Sequence, residues 1–142
     1  KRNSMESVLD IYVDGSYSNG QTKWAFIVVE DDAVIHSNSG VITDPVICEG
    51  RQVGGEIQAV IECVEWAKQN KTKINIFYDF ANLRHWVSDI WGEKPWKTTK
   101  NYTNDYRNFM LRNRSFICKM IKIKSHTGNK YNTLVDELVG AK

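Results

Sequence analysis

The order of periodicities along the chain constrains its fold most strongly. Three strand-like segments come first, separated only by short turns. Helical spacing begins after them, and from there helices alternate with strands. Residues 8–14 (VLDIYVD) are β-branched and aromatic and stop at Gly15, as a strand entering a turn does. Residues 22–29 read as a second strand, reached across the hairpin-type turn Ser18-Asn19-Gly20. Residues 33–42 read as a third, after the Glu30-Asp31-Asp32 turn. Together they are expected to form an antiparallel meander. Within residues 54–69, Ile57, Val60, Ile61 and Val64 then fall on one helical face. Residues 74–79 (INIFYD) are a short buried strand and residues 80–91 are helix-like. Gly92 and Pro95 make residues 91–100 a loop; residues 102–113 read as helix, 115–124 as strand and 130–141 as a closing helix. Strands joined through helices pair in parallel by right-handed crossovers. The expected product is an α/β fold with one mixed five-stranded sheet, three strands antiparallel and then parallel ones, and helices on both faces.

A chain of 142 residues makes one domain, here 1–142, with residues 1–7 expected to be a flexible N-terminal segment. Its first residue is Lys1 and not Met, which leaves room for an upstream targeting segment or partner domain. The longest apolar run, residues 24–29, falls far short of the ~20 residues that span a membrane. Cys48, Cys63 and Cys118 are odd in number, widely spaced and free of any C-x-x-C pattern. That argues against a disulfide framework or a zinc site and suits a reducing compartment, so a cytoplasmic location is expected. A net charge of +2 neither demands nor forbids a nucleic-acid partner.

Ligands of such sheets sit beyond the carboxyl ends of the strands, and acids stand there. Asp14 closes the first strand and Asp79 the fourth. Glu56 lies in the first turn of the main helix on the stripe of Val60 and Val64, and so faces the sheet. Asp136 lies beside Val135 and one turn before Val139. Singly, each has an ordinary explanation: a turn residue, a helix-dipole partner, a cap or a surface charge. Jointly, four converging carboxylates raise one another's pKa, and a divalent cation relieves that repulsion. Oxygen-only ligands suit Mg²⁺ or Mn²⁺, and a pair of such ions suits phosphodiester hydrolysis.

The motifs around these acids carry a resemblance. Tyr12-Val13-Asp14-Gly15-Ser16, the helix start at residues 55–59 (GEIQA), Tyr78-Asp79, and the tail from Lys124-Ser125-His126-Thr127-Gly128 through Asn132 to Asp136-Glu137-Leu138 are similar to type 1 ribonuclease H. The resemblance runs from about residue 8 to residue 140. It is nearest to the bacterial branch that is often fused to a small N-terminal hybrid-binding (viroplasmin-like) domain. It implies a ribonuclease H-like fold and an endonuclease that cleaves the RNA strand of RNA/DNA hybrids, leaving 5′-phosphate and 3′-hydroxyl ends. It implies that Asp14, Glu56, Asp79 and Asp136 hold two Mg²⁺ ions (Mn²⁺ substituting), that His126 assists proton transfer or product release, and that Asn132 orients groups near Asp136 or contacts substrate. It also implies a monomer. Two departures from the family pattern stand out. The polar residues that precede the helical Glu in many members are here Gln52-Val53-Gly54-Gly55, and the basic helix–loop insertion of some members is reduced.

Holding a hybrid requires reading 2′-hydroxyls from the shallow minor groove and gripping the other strand by phosphate contacts and stacking. Gly15, Ser16, Asn19, Gln52 and Gly55 are the candidates for the first task, with the Gly54–Gly55 backbone free to approach closely. Trp96 and Lys97 are the candidates for the second. They belong to a stretch in which Trp86, Trp91, Trp96 and Tyr102 interleave with Arg84, Lys94, Lys97 and Lys100. Trp86 reads better as core, and Trp91 and Trp96 divide evenly between core and surface. The competing functions are a non-catalytic or partner-dependent hybrid-binding domain and another nuclease of the same fold.

Overall fold

The computed structural model describes residues 8–124 and 129–140. The five strands are β1 (Val8–Ser18), β2 (Gln21–Glu30), β3 (Ala33–Val41), β4 (Lys73–Tyr78) and β5 (Ile117–Lys122). They form one sheet in the order β3-β2-β1-β4-β5. β1 pairs antiparallel with β2, and β2 with β3; β1 pairs parallel with β4, and β4 with β5. The mixed sheet expected from the sequence is therefore present. Both hairpin turns place non-glycine residues at positive φ: Asn19 (52°) before Gly20 (74°), and Asp31 (51°) with Asp32 (64°). That is the backbone of a tight two-residue hairpin.

The helices are α1 (Pro45–Cys48), α2 (Gln52–Gln69), α3 (Asn82–His85), α4 (Asn101–Arg112) and α5 (Lys130–Gly140). Side-chain alternation along β1 divides the core in two. Leu9, Ile11 and Val13 join Phe26, Val28, Ile74 and Ile76 beneath α2 and α4, which bring in Val60, Val64, Tyr106 and Met110. On the opposite face Tyr12, Ala25, Ile27 and Val29 pack against Val135 and Val139 of α5.

Several boundaries differ from the sequence reading. α2 begins at Gln52 and not at residue 54, which sets Glu56 beyond its first turn, and β5 is shorter than residues 115–124 because Arg114–Phe116 form a 3₁₀ turn. β1 does not stop at Gly15 but runs on to Ser18, with Gly15 paired to Trp24. The glycine is needed for packing and not for a turn: a Cβ there would lie 2.2 Å from the Glu56 backbone nitrogen. Residues 80–91 are not one helix but α3 and a 3₁₀ turn at Ser88–Trp91, ended by Gly92 at φ 80°. Short α1 was not foreseen. Its signal is local, since Asp44 Oδ1 accepts from Val46 N–H (2.8 Å) and Pro45 follows as the first helical residue.

Candidate active site

Sheet register brings the first two acids together. β1 and β4 run in parallel with Tyr12 opposite Phe77. Two residues further along each strand come Asp14 and Asp79, so the same offset sets both at one end of the sheet on one face. Glu56 reaches them from α2, whose first turn packs onto Gly15. Asp136 comes from α5, held by burial of its neighbour Val135 and of Val139 against the sheet. Asn132 lies one turn earlier on the same side of α5. All four acids border a groove of about 370 Å³, together with Gly15, Ser16, Gln52 and Asn132. A larger concavity, about 670 Å³, lies between the β1–β2 turn and the end of α5; its lining contains no carboxylate. The acids and not the volume single out the candidate groove.

The electrostatics are those of crowded carboxylates. Asp14 is pushed from 3.8 to about 7, chiefly by burial and then by the neighbouring Asp136 carboxylate; its bond from Gly15 N–H (2.9 Å) opposes the shift. Glu56, only 5% exposed, is driven well above the usual carboxylate range by burial first and then by the charges of Asp14 and Asp79. Its Oε1 is buried without a hydrogen-bond partner. A buried carboxylate oxygen with no donor is expensive unless a cation or proton meets it. Among the described residues no three acidic, imidazole or thiol groups already form a common coordination sphere. The fit to a metal therefore rests on donor chemistry: four carboxylates in one groove, one aiming an unpartnered oxygen, and no nitrogen or sulfur donor in that lining. Such a set fits a hard divalent cation.

The remaining sequence candidates fall elsewhere. Asn19 borders the larger concavity and not the acidic groove. Gly55 is buried: a Cβ on it would lie 2.4 Å from the Lys23 carbonyl oxygen, and one on Gly54 would lie 2.1 Å from that of Ile47. The close backbone approach expected at these glycines is thus made to the protein's own chain. Trp96 is half exposed and stacks on His85 (4.0 Å, 7°), with Lys97 next to it, outside the groove. Trp86 and Trp91 pack against the core, and Trp91 Nε1–H donates to the Cys118 carbonyl (2.9 Å). His126 lies outside the described residues, as do residues 1–7. Tyr17 and Thr133 also line the groove and were not anticipated. Tyr17 would have been visible had β1 been carried past Gly15.

A second concavity of about 380 Å³ adjoins the first, sharing Gln52, Glu56 and Asp79 and adding Val53, Phe80 and Ala81. The residues before Glu56 therefore offer one amide side chain and otherwise an apolar surface.

The RNase H family model matches residues 6–142. The chain belongs to the RNase H family. It is a hydrolase of the ribonuclease H type. No curated protein matches it in sequence. Among solved structures it is similar to RNase H1 of the halophilic archaeon Halobacterium salinarum NRC-1 (TM-score 0.70, 14% identity, 92% of this chain and 96% of that one). It is similar also to the N-terminal RNase H domain of Rv2228c of Mycobacterium tuberculosis (0.68, 16%, 93% and 90%). A third is LC11-RNase H1, solved in complex with an RNA/DNA hybrid (0.66, 13%, 92% and 96%). At these identities the likeness is one of fold, and it covers the whole RNase H topology described above.

Proposed function

We propose that this RNase H domain is a metal-dependent endoribonuclease that hydrolyses the RNA strand of RNA/DNA hybrids, leaving 5′-phosphate and 3′-hydroxyl ends. The observation that carries the reading is the groove in which Asp14, Glu56, Asp79 and Asp136 meet, with Glu56 Oε1 buried and unpartnered. The family supports the substrate class, and the LC11 neighbour's hybrid complex shows this fold accommodating one.

The four carboxylates would hold two Mg²⁺ ions, with Mn²⁺ able to replace them. Bound there, such ions supply Lewis acidity that activates a water and stabilises the leaving oxygen. The protein's own part is to bind and orient. Asp14 and Glu56 would serve as ligands to such ions and not as general bases. The Gly15 N–H holds Asp14 in place (2.9 Å). Ser16, Gln52 and Asn132 border the groove with hydroxyl and amide groups suited to ribose hydroxyls. Trp96, half exposed and stacked by one face on His85, is available to stack on the DNA strand beside Lys97. His126 is the proposed proton-transfer or product-release residue. The domain is proposed to work as a cytoplasmic monomer, and the bacterial-branch resemblance motivates a search for an N-terminal hybrid-binding domain in the full-length protein.

An end-labelled hybrid incubated with Mg²⁺, Mn²⁺ or chelator tests the reading, alongside the same RNA as single strand and as duplex, and duplex DNA. Metal-dependent loss of the hybridised RNA alone is expected, and Asp79→Asn should lose both activity and metal binding. An Asp79→Asn enzyme that cleaves at the wild-type rate with normal metal dependence would overturn the site.

A further inference from the structure

A contact far from the groove in sequence leads directly to it. The Tyr131 hydroxyl donates to Asp32 Oδ1, across 99 residues of chain, and the Lys130 ammonium lies 3.9 Å from the same oxygen. Asp32 is the second residue of the β2–β3 hairpin turn, and Lys130 and Tyr131 open α5. At that helix start Asn129 Oδ1 accepts from the backbone N–H groups of Tyr131 (3.0 Å) and Asn132 (2.9 Å), an N-terminal cap. The cap fixes the helix end locally; the Asp32 contact fixes it against the sheet.

Below the acids runs a row of rings. Phe77 stacks on Tyr12 (4.5 Å, 10°), and Tyr12 meets Tyr131 at 5.3 Å. Phe77 and Tyr12 each stand two residues before an acid of the groove, Asp79 and Asp14. Tyr131 immediately precedes Asn132 and stands five residues before Asp136. A rotation or slide of α5 that moved Tyr131 across Tyr12 would carry Asp136 away from Asp14.

Asp32 is also an odd choice for its own position. Its φ of 64° is left-handed, and tight hairpins of this kind favour glycine there because any Cβ is strained. Its side chain is 82% exposed, so it contributes nothing to the core. Asp tolerates this conformation better than most residues but less readily than Gly, and what distinguishes it here is the pair of contacts its carboxylate makes. Its presence also keeps the Tyr131 phenol protonated, with its pKa pushed up to about 12, so the hydroxyl remains a donor at any working pH.

We propose that Asp32 is a positioning residue for the metal site: through Tyr131 and Lys130 it sets where α5 begins, and so where Asp136 stands relative to Asp14. This rests on the metal-binding reading above. Asp32 touches neither substrate nor ion; it limits how far the fourth ligand wanders before a cation arrives.

Calorimetric titration of the substrate-free protein with Mg²⁺, paired with thermal melting, tests it. Asp32→Gly should weaken Mg²⁺ binding about ten-fold, the low end of the effect of removing an outer-shell partner. Its melting temperature should be unchanged or raised, because the turn strain is relieved. Tyr131→Phe keeps the ring but loses the donor, and should weaken binding to the same degree. The double variant should be no worse than either single one, and Asp32→Asn, still an acceptor, should recover most of the loss. At saturating Mg²⁺ the KM for hybrid should not change. Wild-type Mg²⁺ affinity in both single variants would overturn the proposal, and so would a lowered melting temperature at unchanged affinity, the signature of a purely structural contact. Asp14→Asn separates this failure from that of the metal reading. If Asp14→Asn loses Mg²⁺ binding while Asp32→Gly does not, only the positioning role falls. If the wild type binds no Mg²⁺, or Asp14→Asn binds it equally well, both fall together.

Discussion

Asp14→Asn should make the metal-free protein more stable at alkaline pH while making it inactive. In the folded chain Asp14 holds its proton up to about pH 7, whereas the ordinary carboxyl value is 3.8. Between those values the folded state binds more protons than the unfolded one, so stability falls as pH rises. A difference of about three units is worth roughly 4 kcal/mol at most, at about 1.4 kcal/mol per unit. Glu56 is buried beside Asp14 and shifted the same way, which divides the effect, so about 2 kcal/mol is the expected loss between pH 5 and pH 8.5. For a chain of this length that is roughly 6 °C in Tm. Asn at this position keeps an oxygen to accept from Gly15 N–H and has no charge to desolvate. The variant should therefore melt about 6 °C above the wild type at pH 8.5 in chelator, with a flatter pH profile; the residual slope belongs to Glu56, which is shifted in the same direction. Mg²⁺ should raise the wild-type Tm at pH 8.5 and leave the variant nearly unmoved. Differential scanning calorimetry at five pH values, with and without Mg²⁺, reads all of this. A wild-type Tm that climbs from pH 5 to pH 8.5 in chelator, or an Asp14→Asn protein less stable than wild type at pH 8.5, would refute the claim that these carboxylates are held against their own repulsion.

Three further outcomes follow from the packing. Gly15→Ala places a methyl 2.2 Å from the Glu56 nitrogen, so α2 must shift; urea denaturation should show a loss of about 3 kcal/mol, the upper end for overpacking, and activity should fall because Glu56 moves with the helix. Tyr106→Phe removes the fully buried hydroxyl that donates to the Leu83 carbonyl (2.7 Å); stability should drop by about 1–3 kcal/mol, with cleavage per folded molecule unchanged. Trp96→Ala should leave Tm within about 1 °C, since the ring is half exposed, and raise the dissociation constant for hybrid by about ten-fold in a fluorescence anisotropy titration; stacking of one base is worth roughly 1–3 kcal/mol.

The sheet was legible because its signals are local. β-branched runs, two hairpin turns and one change of period are each visible within about ten residues, and together they select antiparallel strands first and parallel strands after. Asp79 was legible as an acid just past a strand end, and Glu56 as a residue of the inward stripe that Val60 and Val64 define; Asp14 stands inside β1 and Glu56 beyond the first turn of α2, so their types were legible and their places in the elements were not. Elements set by three-dimensional packing were not legible. Residues 80–91 have helical composition, yet Ser88 Oγ–H bonds the carbonyls of His85 (3.3 Å) and Lys94 (3.1 Å), and the chain turns there through a 3₁₀ segment to Gly92. Nothing in the local sequence announces those two carbonyls.

Glycine shows most clearly where reading by type reaches its limit. Before Gly, an Asp is ordinarily the start of a turn, and Asp14-Gly15 was read so. At Gly54-Gly55 the same residue type was read as backbone left bare for a substrate. The structure gives Gly15 and Gly55 a single explanation, because they touch each other: Gly15 admits the helix backbone at Gly55 and Glu56, and Gly55 admits the Lys23 carbonyl and the Gly15 backbone, whereas Gly54 admits the Ile47 carbonyl. Removing side chains from both sides of this contact lets α2 sit close enough to β1 for Glu56 to crowd Asp14, which raises both carboxyl pKa values. The glycines therefore shape the acidic groove through their backbone, and Gly15 N–H also donates to Asp14 Oδ1. No statistic of single positions contains that fact, since it depends on a pair of positions forty residues apart meeting across a helix–sheet interface.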